Sequence, residues 1–583
     1  MSLMFASTRQ ETRANWVQAD RQTSQETRAN GGHAPETSCQ RARWLSDFRK
    51  KMLIEYRILI PEIVSKPQGT ERVIFVLVSR LQPFAGSGCY TIYQFDRSMQ
   101  KHLYRFLIVL MLLPFMLQAQ VLTFTPEQMR SDLEYLNKYL RKWHPSYYAC
   151  TPRPAMDAFY QALSDSCHSP ATMNQFRTRL RQAVNKVGCG HMGVSAPADY
   201  NPAVLPELIP LDVWICDNRL YVRNYRGADS LLEPGDEVLS INGIPASEIL
   251  LRTAELAFSD GTNLTHKTAS VQQSFPVFYY FAFGPLHRFR VEFKTLTGQT
   301  GTAEFVSVPQ SNAPQPFMGL VHDSTNLLLK GDGLALYRLD AGLNAVLIDI
   351  DRFKGKKHRQ TYRQMFRTLR LHDTRQLVVD LRNNGGGGVF KGNSFLSYLL
   401  NPAVRGLNFS RRPNLLALNP KFRTGFWPRV TPVLFILNPL QYPGKGGWHH
   451  VFPFFRKGRS HFDGQVFVLA NGGSFSMAAY STTYLKYKRG AVVVGEETGG
   501  GVEGSRGMNY GEIVLPNTGM RVGLNIYRVR HNVKNTGPGG GVLPDFPVSY
   551  SIQDRLQQRD LEMEVVRRLM EDGGQKPEVS NER

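Results

Sequence analysis

Short apolar runs that end in glycine-rich corners recur along the second half of this chain. The runs at 376–380, 465–470 and 491–494 are rich in β-branched residues, as buried strands are, and helical patterns alternate with them. Strands that alternate with helices indicate an α/β domain with central parallel strands. Open sheets of this kind bind ligands at the carboxyl ends of their strands. The three corners are therefore the candidate functional positions.

The corner at 471–476 reads Asn-Gly-Gly-Ser-Phe-Ser and precedes a helical pattern at 477–486. A hydroxyl at a strand-to-helix corner can face a cleft, with helix N-terminal N–H groups directed at any anion formed beside it. The corner therefore suits the nucleophile of an acyl-transfer reaction. A plain turn of small residues is the alternative.

The corner at 380–388 reads Asp-Leu-Arg-Asn-Asn-Gly-Gly-Gly-Gly. Glycines directly after a buried strand let backbone N–H groups approach an anion closely. A nucleotide phosphate loop is the competing interpretation, but the spacing GxxxxGK[ST] does not fit these residues. An oxyanion cradle is favoured, and no nucleotide or other cofactor is expected.

Length and charge limit the other classes of function. A chain of 583 residues exceeds one hydrophobic core, so two or three domains are expected. The net charge of +22 could attract nucleic acid, anionic lipid or acidic peptides. Because no zinc-knuckle, RNP or homeodomain pattern is present, nucleic-acid binding is not predicted. No metal site is predicted either.

A targeting signal is predicted inside the chain. Residues 99–105 are basic, 106–117 are apolar, and Leu-Gln-Ala at 117–119 offers a cleavage site, which together indicate a signal peptide at 99–119. We therefore expect export across the inner membrane to the periplasm or beyond. Residues 1–98, which repeat Gln-Glu-Thr-Arg-Ala-Asn, are expected to come from an over-extended reading frame with translation starting at Met99. A genuine disordered extension is the alternative.

Three folded modules are predicted after the signal peptide. A helical cap at 120–195 begins with Thr125 as N-cap, and a PDZ-like β-rich domain follows at 205–308. Its clearest piece is a strand at 237–241 followed by the hairpin signal Asn242-Gly243 and a short helix at 246–257. An α/β domain at 330–572 includes a predicted strand at 345–350 and a predicted helix at 358–371, and it ends in an amphipathic helix at 552–570. A frayed tail follows at 573–583. Cys150 and Cys167 could pair across a helical hairpin, or both could be free thiols.

Five motifs in this order resemble the tail-specific (C-terminal processing) serine protease family. They are the PDZ-like Gly-Asp-Glu-Val-Leu-Ser-Ile-Asn-Gly at 235–243, the three glycine-rich corners, and Val-Leu-Pro-Asp at 542–545. The resemblance covers most of residues 120–570. It implies a crotonase-like or ClpP-like α/β catalytic core with a PDZ-like insert and an N-terminal helical cap. It also implies a serine endopeptidase that acts on polypeptides through an acyl-enzyme.

The same resemblance implies roles for residues of the corners. Its motif assigns the nucleophile to Ser476 and makes Ser474 a turn residue, although spacing alone does not exclude Ser474. The oxyanion would be stabilised by the N–H of Met477 and by that of Gly385 or Gly386. Many family members carry a general-base lysine in a position that Gly501 occupies here, so a Ser–Lys dyad is not expected.

A second branch of the family implies a histidine base. The tricorn protease core and the interphotoreceptor retinoid-binding protein carry a histidine near the end of the helical module, where this chain has His191. Histidine is a suitable base for serine. The serine that precedes this histidine in the tricorn-like relay is replaced by Gly190. Glu496 and Glu497 are candidates for the orienting acid.

The incomplete relay keeps a second interpretation open. The chain could be a catalytically inactive protein that binds peptides or apolar ligands on the same scaffold. The distance between His191 and Ser476 discriminates between the two interpretations, because a general base must lie within hydrogen-bond reach of the hydroxyl.

Overall fold

The predicted alternation of helices and strands is present in the computed structural model of this protein. The structure describes residues 122–572, apart from residues 201–206, 228–230, 310–323, 341, 343, 402–404, 412–421, 425–440, 445–446, 454–459, 505–507, 532 and 534–539. The predicted extension at 1–98, the signal peptide at 99–119 and the tail at 573–583 lie outside the described residues.

Three amphipathic helices open the described chain. The first begins at Thr125, whose side chain accepts from the N–H of Gln128 while the Gln128 side chain accepts from the N–H of Thr125, a capping box at the predicted N-cap. These helices and the short strands around them are α1 Pro126–Trp143, α2 Arg153–Asp165, α3 Met173–Asn185, β1 Thr123–Phe124, β2 Ala171–Thr172 and β3 Gly193–Ser195.

A six-stranded sheet with its own hydrophobic core follows the cap. The predicted hairpin is present: Asn242 and Gly243 have φ of 53° and 76°, as a tight two-residue turn requires. The sheet order is β10-β9-β7-β6-β5, with β8 beside β7, and β4 pairs with β11 separately. The strands are β4 Glu207–Leu208, β5 Leu211–Cys216, β6 Arg219–Tyr225, β7 Glu237–Ile241, β8 Ile244–Pro245, β9 Arg288–Lys294, β10 Thr300–Val306 and β11 Val308–Pro309.

Three helices pack on this sheet, which occupies the region predicted to be PDZ-like: α4 Ala246–Leu256, α5 Leu264–Gln273 and α6 Phe275–Phe283. The sequence predicted the first of them. The other two lie in a stretch that was assigned only to a β-rich region. Phe275 and Tyr279 of α6 are buried in the core of the PDZ-like sheet, so tertiary packing accounts for helix in an aromatic run.

The sheet of the predicted α/β domain has seven strands in the order β12-β13-β14-β15-β20-β21-β24. The last five run parallel, which confirms the predicted α/β core, and the pairing of Asp380 with Leu469 and of Ala470 with Gly495 brings the strand ends to one edge. The three glycine-rich corners therefore lie along this edge. The strands are β12 Leu327–Gly331, β13 Leu334–Asp340, β14 Ala345–Ile350, β15 Gln376–Asp380, β20 Gln465–Ala470, β21 Val492–Gly495 and β24 Phe546–Pro547.

Helices cover both faces of this sheet. Side chains at alternating strand positions enter two clusters: Leu377 and Val379 pack with the cap helices, and Val378 packs with the C-terminal helix. The predicted single helix at 552–570 is two helices, because Gln558 has φ of 53° and Asp560 caps the second. The helices are α7 His358–Leu371, α8 Val389–Leu396, α9 Met477–Arg489, α10 Ile552–Leu556 and α11 Leu561–Glu571.

A second seven-stranded sheet, which the sequence did not predict, ties the cap to the catalytic domain. Its order is β17-β22-β23-β16-β19-β18, and β3 of the cap pairs with β23 through Val194 and Val522. The remaining strands are β16 Arg405–Arg411, β17 Phe422–Thr424, β18 Gln441–Gly444, β19 Gly447–Pro453, β22 Met508–Val514 and β23 Arg521–Arg530.

Two further observations concern the whole described chain. Among the described residues, Cys150, Cys167, Cys189 and Cys216 form no disulfide bond, so the possible pairing of the first two is not made. Among the described helices, none has both the length and the apolar composition that a bilayer crossing requires.

Candidate active site

Ser476 occupies a strained corner between β20 and α9. It is the residue immediately before the helix, with φ of 55° and ψ of −115°, a conformation that non-glycine residues rarely adopt. Nucleophilic serines of α/β hydrolases lie on sharp strand-to-helix turns of this kind, which expose the hydroxyl above the sheet. The Ser476 side chain is part-exposed, as attack on a substrate requires.

The other serine of the corner has a structural place. Ser474 is fully buried, its hydroxyl donates to the carbonyl of Leu381 over 2.8 Å, and it accepts from the N–H of Asn471 over 3.0 Å. Both capacities of the hydroxyl are therefore used within the turn. Ser474 connects the corner after β20 to the corner after β15.

His191 meets Ser476 across the interface between the cap and the catalytic domain. Its Nε2 lies 2.9 Å from the Ser476 Oγ, although the two residues are 285 positions apart. The His191 side chain is 4% exposed, and its ring lies 4.5 Å from that of Phe475. The neutral tautomer that accepts at Nε2 carries its proton on Nδ1. In that tautomer His191 can take the proton of the serine hydroxyl.

An acid that the sequence analysis missed lies on the other side of this ring. Asp260, in the loop between α4 and α5, places Oδ2 3.7 Å from the His191 Nδ1, and its Oδ1 accepts from the N–H of Gly190 over 2.9 Å. Ser-Asp-Gly at 259–261 is typical of an ordinary turn, so nothing in the local sequence distinguishes it.

The two glutamates considered as orienting acids bond elsewhere. The Glu496 Oε2 accepts from the N–H of Gly472 over 3.3 Å, and the Glu497 Oε1 accepts from the N–H of Gly541 over 2.5 Å. The acid within ion-pair distance of His191 is Asp260 instead. Gly501, at the position of the family lysine, pairs with Gly541 in an isolated β-bridge.

One of the predicted oxyanion residues, Gly386, lies directly beside Ser476. A Cβ on Gly386 would lie 2.7 Å from the Ser476 Cβ and 2.8 Å from the Met477 nitrogen, which shows how closely this glycine approaches the corner. The N–H of Gly386 donates to the side chain of Asn384 over 2.8 Å, so it is engaged within its own loop. Within the described residues, neither the N–H of Met477 nor that of Gly385 donates a hydrogen bond to a backbone carbonyl.

A second histidine, also unpredicted, supports the corner. The Nδ1 of His266, on α5, donates to the carbonyl of Gly472 over 2.8 Å, and its ring stacks on Phe475 at 4.3 Å. Burial lowers the pKa of His266, so its neutral form is favoured. Phe475 therefore contacts both imidazoles, those of His191 and His266.

The site contains no recognisable metal centre. Across the part of the chain that the structure describes, no group of three or more His, Cys, Asp and Glu side chains could hold a metal ion. The arrangement of hydroxyl, imidazole and backbone N–H groups is that of nucleophilic acyl transfer.

Comparison with known proteins agrees with this chemistry. Residues 344–548 match the model of peptidase family S41, a segment that contains Ser476 but neither His191 nor Asp260. No curated protein matches the chain significantly.

Solved structures share the fold. Mature CPAF has a TM-score of 0.54 at 15% identity, over 78% of this chain and 99% of that chain. Mature CPAF in complex with lactacystin has a TM-score of 0.56 at 16% identity, over 77% of this chain and 99% of that chain. At these identities the likeness concerns the fold, and it confirms the predicted fold class. Residues 344–548 of this chain are thus similar to peptidase family S41, the family of the tail-specific proteases, and the protein is a serine-type peptidase.

Proposed function

We propose that this protein hydrolyses peptide bonds in polypeptide substrates through an acyl-enzyme on Ser476, with His191 as the general base. The observation that carries the proposal is the 2.9 Å separation between the His191 Nε2 and the Ser476 Oγ. A catalytic base lies within hydrogen-bond reach of the group that it deprotonates, about 2.6–3.2 Å between heavy atoms. The strained backbone of Ser476 is a second, independent feature of a nucleophile.

The reaction follows from the positions of these groups. His191 takes the hydroxyl proton at Nε2 while the Ser476 Oγ attacks the carbonyl carbon of the substrate. The resulting oxyanion is stabilised by the N–H of Met477 and that of Gly385. When the tetrahedral intermediate collapses, the imidazolium returns its proton to the leaving amine. A water molecule then hydrolyses the ester by the same steps, with His191 again as base.

The non-catalytic alternative predicts a different geometry. A binding protein on this scaffold has no need for an imidazole in contact with the hydroxyl, or for a strained backbone at that serine. The contact between His191 and Ser476 argues against this alternative.

We also propose export, with cleavage after Ala119, because residues 99–119 have the pattern of a signal peptide. N-terminal sequencing of the protein isolated from its host tests this proposal. A mature chain that begins at Gln120 is expected, whereas abundant peptides from residues 1–98 would contradict it.

Covalent labelling with a fluorophosphonate probe tests the catalytic assignment. Ser476→Ala should remove labelling completely, because the attacking oxygen is gone. His191→Ala should slow labelling by about 10²–10⁴-fold, the usual contribution of a positioned general base.

Ser481→Ala is the matched control. Ser481 is a buried serine on α9 whose hydroxyl donates to the carbonyl of Met477 over 2.8 Å. The Ser481→Ala protein should be labelled at the wild-type rate, because Ser476 and His191 are unchanged. Persistent labelling of Ser476→Ala protein would overturn the proposed function.

A further inference from the structure

We propose that Asp260 is the positioning residue of this site: its carboxylate orients the His191 ring and stabilises the imidazolium that forms during catalysis. The inference rests on the proposed function, since it concerns how the proposed base acts. Asp260 belongs to the loop between α4 and α5 of the PDZ-like region. It therefore lies outside the segment that matches the family model.

The carboxylate faces the ring nitrogen that is not directed at the serine. Oδ2 of Asp260 lies 3.7 Å from Nδ1 of His191, while Nε2 faces Ser476 at 2.9 Å. An ion-pair distance of this length shortens when the imidazole becomes charged, and catalytic hydrogen bonds are often long before substrate binds. The carboxylate thus favours the tautomer that leaves Nε2 free to accept the serine proton.

Backbone contacts hold the carboxylate in this place. The other oxygen, Oδ1, accepts from the N–H of Gly190 over 2.9 Å, and the N–H of Gly261 donates to the carbonyl of Gly188 over 3.0 Å. A Cβ on Gly190 would lie 2.7 Å from the Phe475 ring and 3.1 Å from the Asp260 nitrogen. Glycine at 190 therefore lets the acid-bearing loop pack directly against the base-bearing loop.

Burial strengthens the interaction between acid and base. The side chains of Asp260 and His191 are 3% and 4% exposed, so solvent screens their charges little. Among the described residues, His266 and His531 interact electrostatically with the pair, and burial lowers the pKa of each. Their neutral forms are therefore favoured, so they place little positive charge beside Asp260 and His191.

The test compares pH profiles of the labelling rate for full-length variants. Asp260→Asn keeps an oxygen for the Gly190 N–H but removes the charge. We expect its rate to fall by about 10²–10⁴-fold, as for loss of the acid in other serine triads. We also expect the acid limb of the profile to move to lower pH, because the variant lacks the carboxylate that stabilises a positively charged ring.

Two further variants make the result decisive. Asp260→Glu keeps the charge, so its acid limb should stay at the wild-type pH with a smaller loss of rate. Asp236→Asn is the control: Asp236 is a buried aspartate of the same PDZ-like region that accepts from the N–H of Glu233, and its profile should not move.

The outcomes separate this inference from the proposed function. An Asp260→Asn profile with an unmoved acid limb would leave Asp260 with a merely structural role and overturn the inference, while loss of labelling in Ser476→Ala would still support the function. If Asp260→Asn does not fold, Asp260→Glu decides. A wild-type acid limb supports the inference, and a loss of rate equal to that of His191→Ala rejects it.

Discussion

At the scale of single residues, the site depends on backbone conformations that few residue types adopt. Ser476 holds a positive φ, and strain of this kind costs about 1–3 kcal/mol, which the surrounding structure must offset. The buried hydroxyl of Ser474 and the stacked ring of His266 hold the corner on either side. The corner is therefore fixed before any substrate arrives.

Gly386→Ala should abolish activity without replacing any reacting group. Gly386 has φ of 98°, and an added methyl group would lie 2.7 Å from the Ser476 Cβ and 2.8 Å from the Met477 nitrogen, where the oxyanion is expected. Loss of one oxyanion donor alone costs about 10²–10³-fold in kcat, so we expect at least that reduction. Peptidase kinetics with a fluorogenic peptide measure it.

Gly388→Ala is the control within the same glycine run. Its Cβ would make only ordinary contact, 3.4 Å from Lys391, and its φ of −72° suits any residue. Equal losses in the two variants would contradict the steric explanation.

The sequence predicted some of these residues and not others, for a physical reason. Ser476 and His191 were found because a family motif or its order marks each of them. Asp260 and His266 were not, because their partners come from distant loops and no local pattern records that proximity. The anion-binding role predicted for the glycine run stays a prediction, and the hydrogen bond from the Gly386 N–H to the Asn384 side chain is visible only in the folded loop.

At the scale of helices and strands, buried charges connect the edge of the catalytic sheet to the C-terminal helix. Arg382 follows β15 and is 8% exposed in its side chain, with ion pairs to Asp380 at 2.7 Å, Asp560 at 2.7 Å and Glu562 at 3.1 Å. Glu562 also accepts from the hydroxyl of Tyr550. This cluster fixes α11 against the end of β15.

Arg382→Met should destabilise the fold by about 3–5 kcal/mol, because it leaves buried carboxylates without a counter-charge. Denaturant unfolding measures the change. Arg375→Met is the control, since Arg375 pairs with Asp373 where both side chains are largely exposed, at 75% and 84%. Surface substitutions of this kind usually change stability by about 0.5 kcal/mol or less. A small effect of Arg382→Met would show that the cluster contributes little.

Prediction of elements succeeded where the periodicity was strong. The strands at 345–350 and 376–380 and the helix at 358–371 have the predicted bounds, because apolar alternation and helical spacing are unambiguous there. The second sheet was missed because its strands are mixed in polarity. The helix at 275–283 was missed because its aromatic run has the composition of a strand.

At the scale of the whole molecule, the cap shares a hydrophobic core with the catalytic domain. Leu136 and Phe176 of the cap belong to the same cluster as Ile348 and Tyr484 of the catalytic domain. The PDZ-like region has a separate core. We therefore expect the cap and the catalytic domain to unfold together, with global stability set by groups buried in either.

Stability should fall in mild acid because of His531. Its Nδ1 donates to the carbonyl of Val502, and burial lowers its pKa to about 4 from the ordinary value of 6.5. In the unfolded chain, the imidazole of His531 takes up a proton below about pH 6.5. The folded chain resists protonation until about pH 4, so folded-state stability declines across this window by about 3 kcal/mol. Above pH 6.5 His531 is neutral in both the folded and the unfolded chain, so this loss of stability is absent.

His531→Asn should flatten this decline, because asparagine keeps a donor near the Nδ1 position and does not titrate. Urea unfolding between pH 4 and 7 measures the slope of stability with pH for each protein. His372→Asn, at an exposed histidine after α7, should keep the wild-type slope. Parallel slopes in the wild type and His531→Asn would exclude His531 as the source.

The separation of Ser476 from His191 by 285 positions affects when the peptidase first becomes competent. During synthesis His191 leaves the ribosome long before Ser476. Strand β23, which pairs with β3 next to His191, emerges later still. A nascent or truncated chain thus lacks the assembled machinery. Proteolytic competence therefore requires a chain synthesised at least through β23.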